Sequence, residues 1–283
     1  MINSGAVNGI PGHINHHLIT ETLKGEWGFK GFAVSDWEDF IMLHTVHSTS
    51  PSLADAYVQA FNAGVDMSMV PLSPQYKEYC NIMVNAVKTG KISMERLDDA
   101  VRRILYVKST LGLFERPVPT FENYPKFGSA EFQQASLNSA LESITLLKNE
   151  NGILPLSKNQ KVLIAGPTSN NLVYLNGAWT HTWQGVDTAY NTSGCLTVRQ
   201  AFEKKLGKEN CLFSQGAELY SENNFEKTRF VNLTDYQEKV RQADVVVLCL
   251  GELPATEKPG DILSLNLDAE QRELAKLACA QNK

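Results

Sequence analysis

The sequence predicts an α/β protein with two sections, and two observations support this fold class. In residues 1–114, amphipathic helical stretches alternate with short apolar runs of strand length, in the order αβαβα. The same alternation begins again after residue 143. Short connections between alternating helices and strands predict parallel strands with helices packed outside them.

The two strands of the first section are indicated by glycines and apolar runs. Gly31 opens a run that ends at Asp36, and Gly64 opens a second run that ends at Met69. A glycine followed by a short apolar run is typical of a buried strand. Apolar residues at helical spacing predict the helices of this section, which lie at residues 18–26, 52–62, 76–88 and 93–111.

The composition changes at residue 115. Pro117, Pro119 and Pro125 occur in a stretch of little periodicity, which predicts a linker or a strap over the surface. A helix is predicted at residues 129–141, before the second section begins. That section contains predicted buried strands at residues 161–166 and 244–250, and predicted helices at residues 196–205, 236–242 and 268–279.

Composition and charge exclude several classes of function. A net charge of −5 does not provide the basic face that nucleic-acid phosphates require. No apolar run reaches the roughly 18 residues of a membrane-spanning helix. The five cysteines are widely spaced and His13-x-x-His16 lacks a third ligand, so no metal site is predicted. The run Gly166-Pro167-Thr168 departs from the phosphate-binding pattern of dinucleotide folds, which argues against a nucleotide-binding module.

Asp36 is the first candidate for catalysis. It ends a predicted buried strand, and Trp37 follows it directly. Enzymes of the α/β class place reactive carboxylates at the carboxyl ends of parallel strands. An indole next to such a carboxylate offers a flat face on which a ligand can stack. The alternative is that Asp36 caps the segment that follows, a role that aspartate often has.

Two polar segments of the second section contain further candidates. Glu252 and Glu257 lie in the loop 251–261, which contains glycine and proline and follows a predicted buried strand. The alternative for both is a plain surface carboxylate. Trp179 and Trp183 lie in a polar segment flanked by glycines. Tryptophan in such a setting suits the apolar C–H faces and hydroxyl edges of sugars, although the pair could instead pack a domain interface.

Taken together, these segments resemble glycoside hydrolase family 3. The longest match ends in Gly25–Trp37 and resembles the nucleophile region of that family nearly throughout. Gly177–Gly185 is similar to the segment that β-glucan exohydrolases of the family place over the active site, and Thr256–Asp261 resembles their acid/base loop. Further matches occur at Asn3–Gly5, Asn8–His13, Leu18–Thr20, Ala63–Met69, Ser143–Glu150, Leu154–Leu156 and Gly251–Glu252.

The resemblance implies a domain organisation. The first domain of the family is a (β/α)₈ barrel, which needs roughly 250 residues, so residues 1–114 would be the C-terminal part of a TIM-like barrel. Residues 115–142 would form a linker with a helix, and residues 143–283 the N-terminal part of an open α/β sandwich domain. We therefore expect a truncated gene or partial sequence that is inactive alone, because the upstream residues that hold the sugar are absent.

The resemblance also implies a mechanism. Asp36 would be the nucleophile that forms a covalent glycosyl-enzyme, and Glu257 the acid/base that protonates the leaving oxygen and then activates water. Trp37 and Trp183 would sandwich the leaving-side sugar, with Trp179 nearby. The expected function is that of a retaining, exo-acting β-glucosidase that removes terminal β-linked glucose from oligosaccharides or β-glucans and needs no cofactor.

Other functions stay open at this point. A β-xylosidase or a β-N-acetylglucosaminidase on the same scaffold is one alternative, because the residues that select the sugar lie mostly upstream in this family. A non-catalytic carbohydrate-binding relative is another, and the presence of both Asp36 and Glu257 argues against it. The expected partner is an oligosaccharide or β-glucoside, with no nucleic acid and no membrane span. The resemblance alone favours a periplasmic or secreted protein.

Overall fold

The computed structural model describes residues 1–72, 74–191, 194–222 and 225–281. The chain forms two compact units, Met1–Ile144 and Thr145–Lys283, and each has its own apolar core. Both units combine helices with parallel strands, which confirms the α/β class. Within the described ranges, no helix is long and apolar enough to cross a membrane.

The first unit is built around one pair of parallel strands with helices beside it. The antiparallel pair β1 (Ala6–Val7) and β2 (Ile10–Pro11) comes first, and a π-helix at His17–Glu26 follows. The remaining elements are, in order, β3 (Val34–Trp37), α1 (Asp39–Thr45), α2 (Leu53–Asn62), β4 (Met67–Met69), α3 (Gln75–Lys88), α4 (Met94–Thr110) and α5 (Ala130–Ser143).

Strands β3 and β4 pair in parallel, as the order of elements predicts, with Val34 opposite Met67. Strand β3 begins at Val34 and not at Gly31, where the sequence predicts it, because side chains bind the backbone that precedes Val34. The Arg103 guanidinium donates hydrogen bonds to the carbonyls of Phe29 and Gly31 at 2.6 and 3.0 Å. Backbone groups that are satisfied in this way need no neighbouring strand.

A buried ion cluster, formed by Lys24, Asp66, Arg96, Asp99 and Arg103, fixes the start of β3. The Asp66 side chain is fully buried, accepts the Ala33 N–H at 2.8 Å and lies 2.7 Å from the Lys24 ammonium. Arg96 binds the same carboxylate, and Asp99 bridges Arg96 and Arg103. The cluster therefore ties the π-helix and α4 to the strand that leads to Asp36.

The apolar core of the first unit lies between α1, α2 and the π-helix. Phe40 and Leu43 of α1 are completely buried, and so are Ala56, Tyr57 and Ala60 of α2. Helix α1 was not predicted, because seven residues are too few for a helical period to be recognised. It begins two residues after β3 ends, and its packing sets the direction in which the chain leaves the end of that strand.

The second unit is built on a three-stranded parallel sheet in the order β6-β5-β9, with an antiparallel hairpin β7–β8. Its elements are, in order, β5 (Val162–Ala165), α6 (Val198–Leu206), β6 (Cys211–Ser214), β7 (Ala217–Glu222), β8 (Phe225–Phe230), α7 (Leu233–Gln242), β9 (Val245–Leu248) and α8 (Ala269–Cys279).

Strand β5 lies in the centre of this sheet, and all four of its residues are buried. Tyr236 of α7 and Leu274 of α8 pack into the core beside it, and the Tyr236 hydroxyl donates to the Leu274 carbonyl at 2.8 Å. The sequence pattern indicates β5 and β9 but not β6 or the hairpin. Strand β6 has an apolar run of only three residues, 211–213, before Ser214, and in the hairpin polar residues such as Glu218 and Arg229 interrupt the apolar pattern.

Candidate active site

Asp36 lies at the carboxyl end of β3, as the sequence predicts, and its side chain is half-buried. The preceding residue, Ser35, is fully buried and anchors the strand. Its hydroxyl accepts the Met69 N–H at 2.7 Å and donates to the Asp36 carbonyl at 2.8 Å. Because successive side chains of a strand point to opposite faces, anchoring Ser35 on one face directs Asp36 to the other.

Both carboxylate oxygens of Asp36 have a hydrogen-bond donor. The Trp37 N–H donates to Oδ1 at 2.7 Å, and the Ser4 hydroxyl lies 3.4 Å from Oδ2. The chain then turns at Glu38, whose φ of 57° is left-handed, before α1 begins. Trp37 is 52% exposed at this edge. The arrangement holds one carboxylate in a defined orientation beside an accessible indole.

His13 lies directly behind Asp36 and is almost completely buried. Its Nε2 atom accepts the Asp36 N–H at 3.3 Å, so the ring proton is on Nδ1, which faces Asp39 Oδ2 at 3.2 Å. Burial lowers the pKa of His13, and the charges of Asp39 and Asp36 oppose this shift. A neutral His13 therefore accepts a hydrogen bond from the backbone of Asp36 on one side and lies beside the buried carboxylate of Asp39, at the start of α1, on the other.

The sequence pattern presents His13 and His16 only as a metal pair, which the missing third ligand excludes. The structure separates their roles, because His16 is exposed and pairs with Glu21 at 3.2 Å, as does His17 at 2.8 Å. The support that His13 gives to Asp36 joins residues 23 apart in sequence. No local pattern could have revealed it.

The tryptophan loop, residues 177–185, is a compact turn in the second unit. The Trp179 N–H donates to the Trp183 carbonyl at 2.9 Å, which closes the loop on itself. Trp179 has a left-handed φ of 63°, and Gly185 one of 73°. A side chain at Gly185 would collide with the carbonyl of Gly177, so only glycine fits there. Trp179 and Trp183 are 67% and 44% exposed, respectively.

The glutamate loop, residues 251–261, follows β9 and is held at three points. Gln271, which is fully buried, binds the Gly251 N–H and carbonyl at 3.0 Å each. The Leu253 N–H donates to the carboxylate of Glu226 at 2.9 Å. Burial raises the pKa of Glu226, and the Leu253 N–H opposes this shift. These contacts fix the first part of the loop against β8 and α8.

The third point is Thr256, immediately before Glu257. The Gln184 amide accepts the Thr256 N–H at 2.9 Å and donates to the Thr256 carbonyl at 3.3 Å. Glu257 itself has φ 56° and ψ −150°, a conformation that non-glycine residues rarely adopt. Its side chain is exposed within the unit, and its carbonyl accepts the Gly260 N–H at 2.8 Å. Glu252 likewise follows a residue held by a two-point glutamine contact, Gly251, so these contacts do not separate the two glutamates. Of the two, only Glu257 has a positive φ.

The structure thus brings the predicted residues together in two groups. Asp36 and Trp37 lie at one strand end of the first unit, and Gln184 joins the tryptophan loop to the glutamate loop in the second. Sequence reasoning did not identify His13, Gln184 or Gln271 as supporting residues. Glutamine occurs throughout the chain, so its type carries no signal until the fold shows which peptide it faces.

Comparison with known proteins identifies relatives over both units. The Glycosyl hydrolase family 3 N terminal domain matches residues 1–107, and the Glycosyl hydrolase family 3 C-terminal domain matches residues 144–283. A lysosomal beta glucosidase of Dictyostelium discoideum is 38% identical over 279 residues, which cover 96% of this chain and 33% of that protein. A beta-xylosidase of Formosa agariphila is 30% identical over 278 residues, covering 95% and 37%.

The fold is also similar to solved structures. The beta-glucosidase from Listeria innocua in complex with glucose superimposes with a TM-score of 0.79 at 27% identity, covering 98% of this chain and 36% of that one. The chain therefore spans about a third of the length of these relatives, at 33%, 37% and 36% of the three proteins.

Proposed function

The chain belongs to glycoside hydrolase family 3, and we propose that it forms part of a retaining, exo-acting β-glycosidase that releases terminal β-linked glucose from oligosaccharides or β-glucans. The observation that carries this proposal is Asp36 at the carboxyl end of β3. Its two carboxylate oxygens accept hydrogen bonds from Trp37 and Ser4, which hold it in one orientation beside an indole. A fixed carboxylate of this kind is suited to attack at a sugar carbon.

The proposed reaction is a double displacement. Asp36 attacks the anomeric carbon while Glu257 gives a proton to the leaving oxygen, and a covalent glycosyl-enzyme forms. Glu257 then removes a proton from water, which attacks the same carbon and releases Asp36. Two inversions restore the original anomeric configuration. Support for Glu257 rather than Glu252 comes from the resemblance of Thr256–Asp261 to the acid/base loop of the family and from the positive φ of 56° at Glu257.

We assign the substrate-binding role to the indoles of Trp37, Trp179 and Trp183. All three residues are exposed, at 52%, 67% and 44%. The flat apolar face of an indole complements the C–H face of a pyranose. The Listeria innocua relative was solved in complex with glucose, which supports a sugar ligand for this chain as well.

The proposed domain organisation follows the family. Residues 1–114 are assigned to the C-terminal part of a TIM-like barrel, residues 115–142 to a linker with a helix, and residues 143–283 to the N-terminal part of an α/β sandwich domain. The parallel pair β3–β4 with α2, α3 and α4 is compatible with consecutive βα units of such a barrel.

A β-xylosidase is the second candidate. The specific observation in its favour is the 30% identity to the Formosa agariphila beta-xylosidase over 95% of this chain. Glucose and xylose differ by one hydroxymethyl group on the ring, so the two activities can share the same nucleophile and acid/base.

The experiment compares aryl β-glucoside and aryl β-xyloside hydrolysis by a protein that contains residues 1–283, and follows the anomeric configuration of the first product by NMR. We expect the β-glucoside to be the better substrate and the first product to be the β-anomer. The Asp36→Asn variant should bind sugar but lose turnover by at least about 10³-fold, the scale of removing a reacting group. An α-anomeric first product would contradict the retaining mechanism, and full activity of Asp36→Asn would contradict the assignment.

A further inference from the structure

We propose that Gln184 is a positioning residue for the acid/base glutamate, and that it couples the tryptophan loop to the protonation step. The inference rests on the proposed function, because it assigns a role to the residue that orients Glu257. The geometry that points to it is a two-point contact in which one side-chain amide satisfies both hydrogen-bonding groups at Thr256, the residue before Glu257.

The side-chain amide of Gln184 contacts Thr256 as a residue of a neighbouring β-strand would, because it accepts the N–H and donates to the carbonyl of the same residue. Gln184 Oε1 accepts the Thr256 N–H at 2.9 Å, and Gln184 Nε2 donates to the Thr256 carbonyl at 3.3 Å. The Thr256 N–H and carbonyl belong to the two peptide planes on either side of its Cα, so the two hydrogen bonds together restrict the backbone dihedrals of Thr256, which a single hydrogen bond does not. Gln184 is half-buried, so water competes less for these groups than it would at the surface.

Glu257 requires such support because its own backbone is strained. A non-glycine residue at φ 56° and ψ −150° costs on the order of 1–3 kcal/mol and persists only where its surroundings hold it. On its far side, Glu257 is followed by a tight turn in which the Gly260 N–H returns to the Glu257 carbonyl. The clamp on Thr256 is therefore the contact that fixes the near side of the strained residue and the direction of its side chain.

The same glutamine is built into the tryptophan loop. It follows Trp183 directly, and the next residue, Gly185, is held by a hydrogen bond from Asn176 to its carbonyl at 2.9 Å. If Trp183 moves when sugar binds, Gln184, which is bonded directly to it, moves as well and shifts Thr256, the residue before Glu257. Binding at the tryptophan loop and orientation of the acid/base share one side chain.

Gln271 provides an internal comparison. It makes an equivalent two-point contact with Gly251, which directly precedes Glu252 and lies six positions before Glu257, but Gln271 is fully buried. We regard that contact as structural, since it anchors the end of β9 against α8. The contact of Gln184 is separated from Glu257 by one peptide bond.

The test uses Gln184→Met, which keeps the length of the side chain and removes both hydrogen bonds, in an active protein that contains residues 1–283. The substrates are phenyl β-glucoside, whose leaving group needs a proton, and 2,4-dinitrophenyl β-glucoside, whose leaving group does not. We expect kcat/KM for the phenyl glucoside to fall about 10–100-fold, the scale for misplacing a reacting group by an ångström. The loss for the dinitrophenyl glucoside should stay below about 3-fold. Gln242→Met, at the exposed end of α7, is the control for the substitution itself and should change neither value.

A double-variant cycle separates positioning from loss of structure. In a Glu257→Ala background, Gln184→Met should have no further effect on the phenyl glucoside, because the group that it positions is gone. A loss that persists in that background, or an equal loss for both substrates, would overturn the proposal. So would a rise in KM for disaccharides with unchanged aryl-glucoside kinetics, which would limit Gln184 to sugar binding.

The result for Glu257→Ala alone shows whether the positioning role of Gln184 fails or whether the acid/base assignment of Glu257 fails. If that variant discriminates between the two leaving groups and Gln184→Met does not, the positioning role fails and the proposed function stands. If Glu257→Ala itself does not discriminate, the acid/base assignment fails, and the role of Gln184 falls with it.

Discussion

Replacing Asp66 by asparagine should destabilise the first unit more than any single surface change. The carboxylate is fully buried and in contact with Lys24 and Arg96, whose side chains are only 6% and 14% exposed. Asparagine keeps an oxygen for the Ala33 N–H, which donates to Asp66 Oδ2 at 2.8 Å, but it removes the charge and replaces Oδ1, which accepts from Lys24 and Arg96, by an NH₂ donor. Asp66→Asn thus leaves two nearly buried cations without their main counter-ion.

The expected loss of stability follows from the positive charges of Lys24 and Arg96, which stay buried after the carboxylate is removed. Breaking a buried ion pair by removing one partner costs about 3–5 kcal/mol, because the remaining charge is uncompensated. Asp99 still lies 3.6 Å from Lys24 and 3.0 Å from Arg96, but it is 34% exposed and therefore a weaker partner. We expect a loss near the lower end of that range, about 3 kcal/mol in the free energy of unfolding.

The loss should also depend on pH. Burial lowers the pKa of Lys24, and Asp66 opposes this shift, so removing the carboxylate lowers that pKa further. Between the lowered pKa and 10.5, the unfolded variant binds more protons than the folded one, so the free energy of unfolding rises with pH. Raising the pH towards 10 should therefore restore part of the stability of Asp66→Asn.

Urea unfolding followed by tryptophan fluorescence measures both effects. The matched control is Glu131→Gln, which breaks the exposed pair of Lys126 and Glu131, with side chains 61% and 63% exposed. Such a pair contributes at most about 1 kcal/mol. If Asp66→Asn loses no more stability than Glu131→Gln, the buried ion cluster does not hold β3, and the reasoning is refuted.

Two further predictions concern the site. Trp183→Ala should raise KM for disaccharides and change the hydrolysis of aryl glycosides less. Stacking contributes about 0.5–1.5 kcal/mol for aromatic pairs, and we apply that scale to a sugar face. An unchanged KM for disaccharides would show that Trp183 is not part of the binding site. Burial lowers the pKa of His13 below 6.5, so between those two values the unfolded chain binds more protons than the folded one and stability is lost as the pH falls below 6.5. His13→Gln should show a shallower loss of urea stability over that range than the parent protein, and equal slopes would contradict a buried neutral His13.

The sequence predicts those elements whose pattern is long or strongly apolar. Helix α4 is predicted at residues 93–111 and occurs at Met94–Thr110, and strand β5 is predicted at residues 161–166 and occurs at Val162–Ala165. The elements that escape prediction are short or polar, such as α1 and the β7–β8 hairpin. Their existence depends on packing and on pairing with distant residues, which a local pattern does not contain.

The residues of the candidate site also fall into those that the sequence predicts and those that it does not. Asp36, Glu257 and the tryptophans can be proposed from the sequence because reactive and stacking residues stand in recognisable motifs. Their supporting contacts cannot, because each joins distant parts of the chain: His13 to Asp36 over 23 residues, and Gln184 to Thr256 over 72. Residue type indicates which groups can react, whereas only the fold shows which groups hold them in place.

The most direct test of the central claim is covalent trapping of the nucleophile. A 2-deoxy-2-fluoro-β-glucoside with a good leaving group should form a stable glycosyl-enzyme with a protein that contains residues 1–283, because the fluorine slows the second displacement more than the activated first one. Mass spectrometry of the digested protein should place the label on Asp36, and Asp36→Asn should remain unlabelled. A label on any other carboxylate would contradict the account of this strand end as the reacting centre.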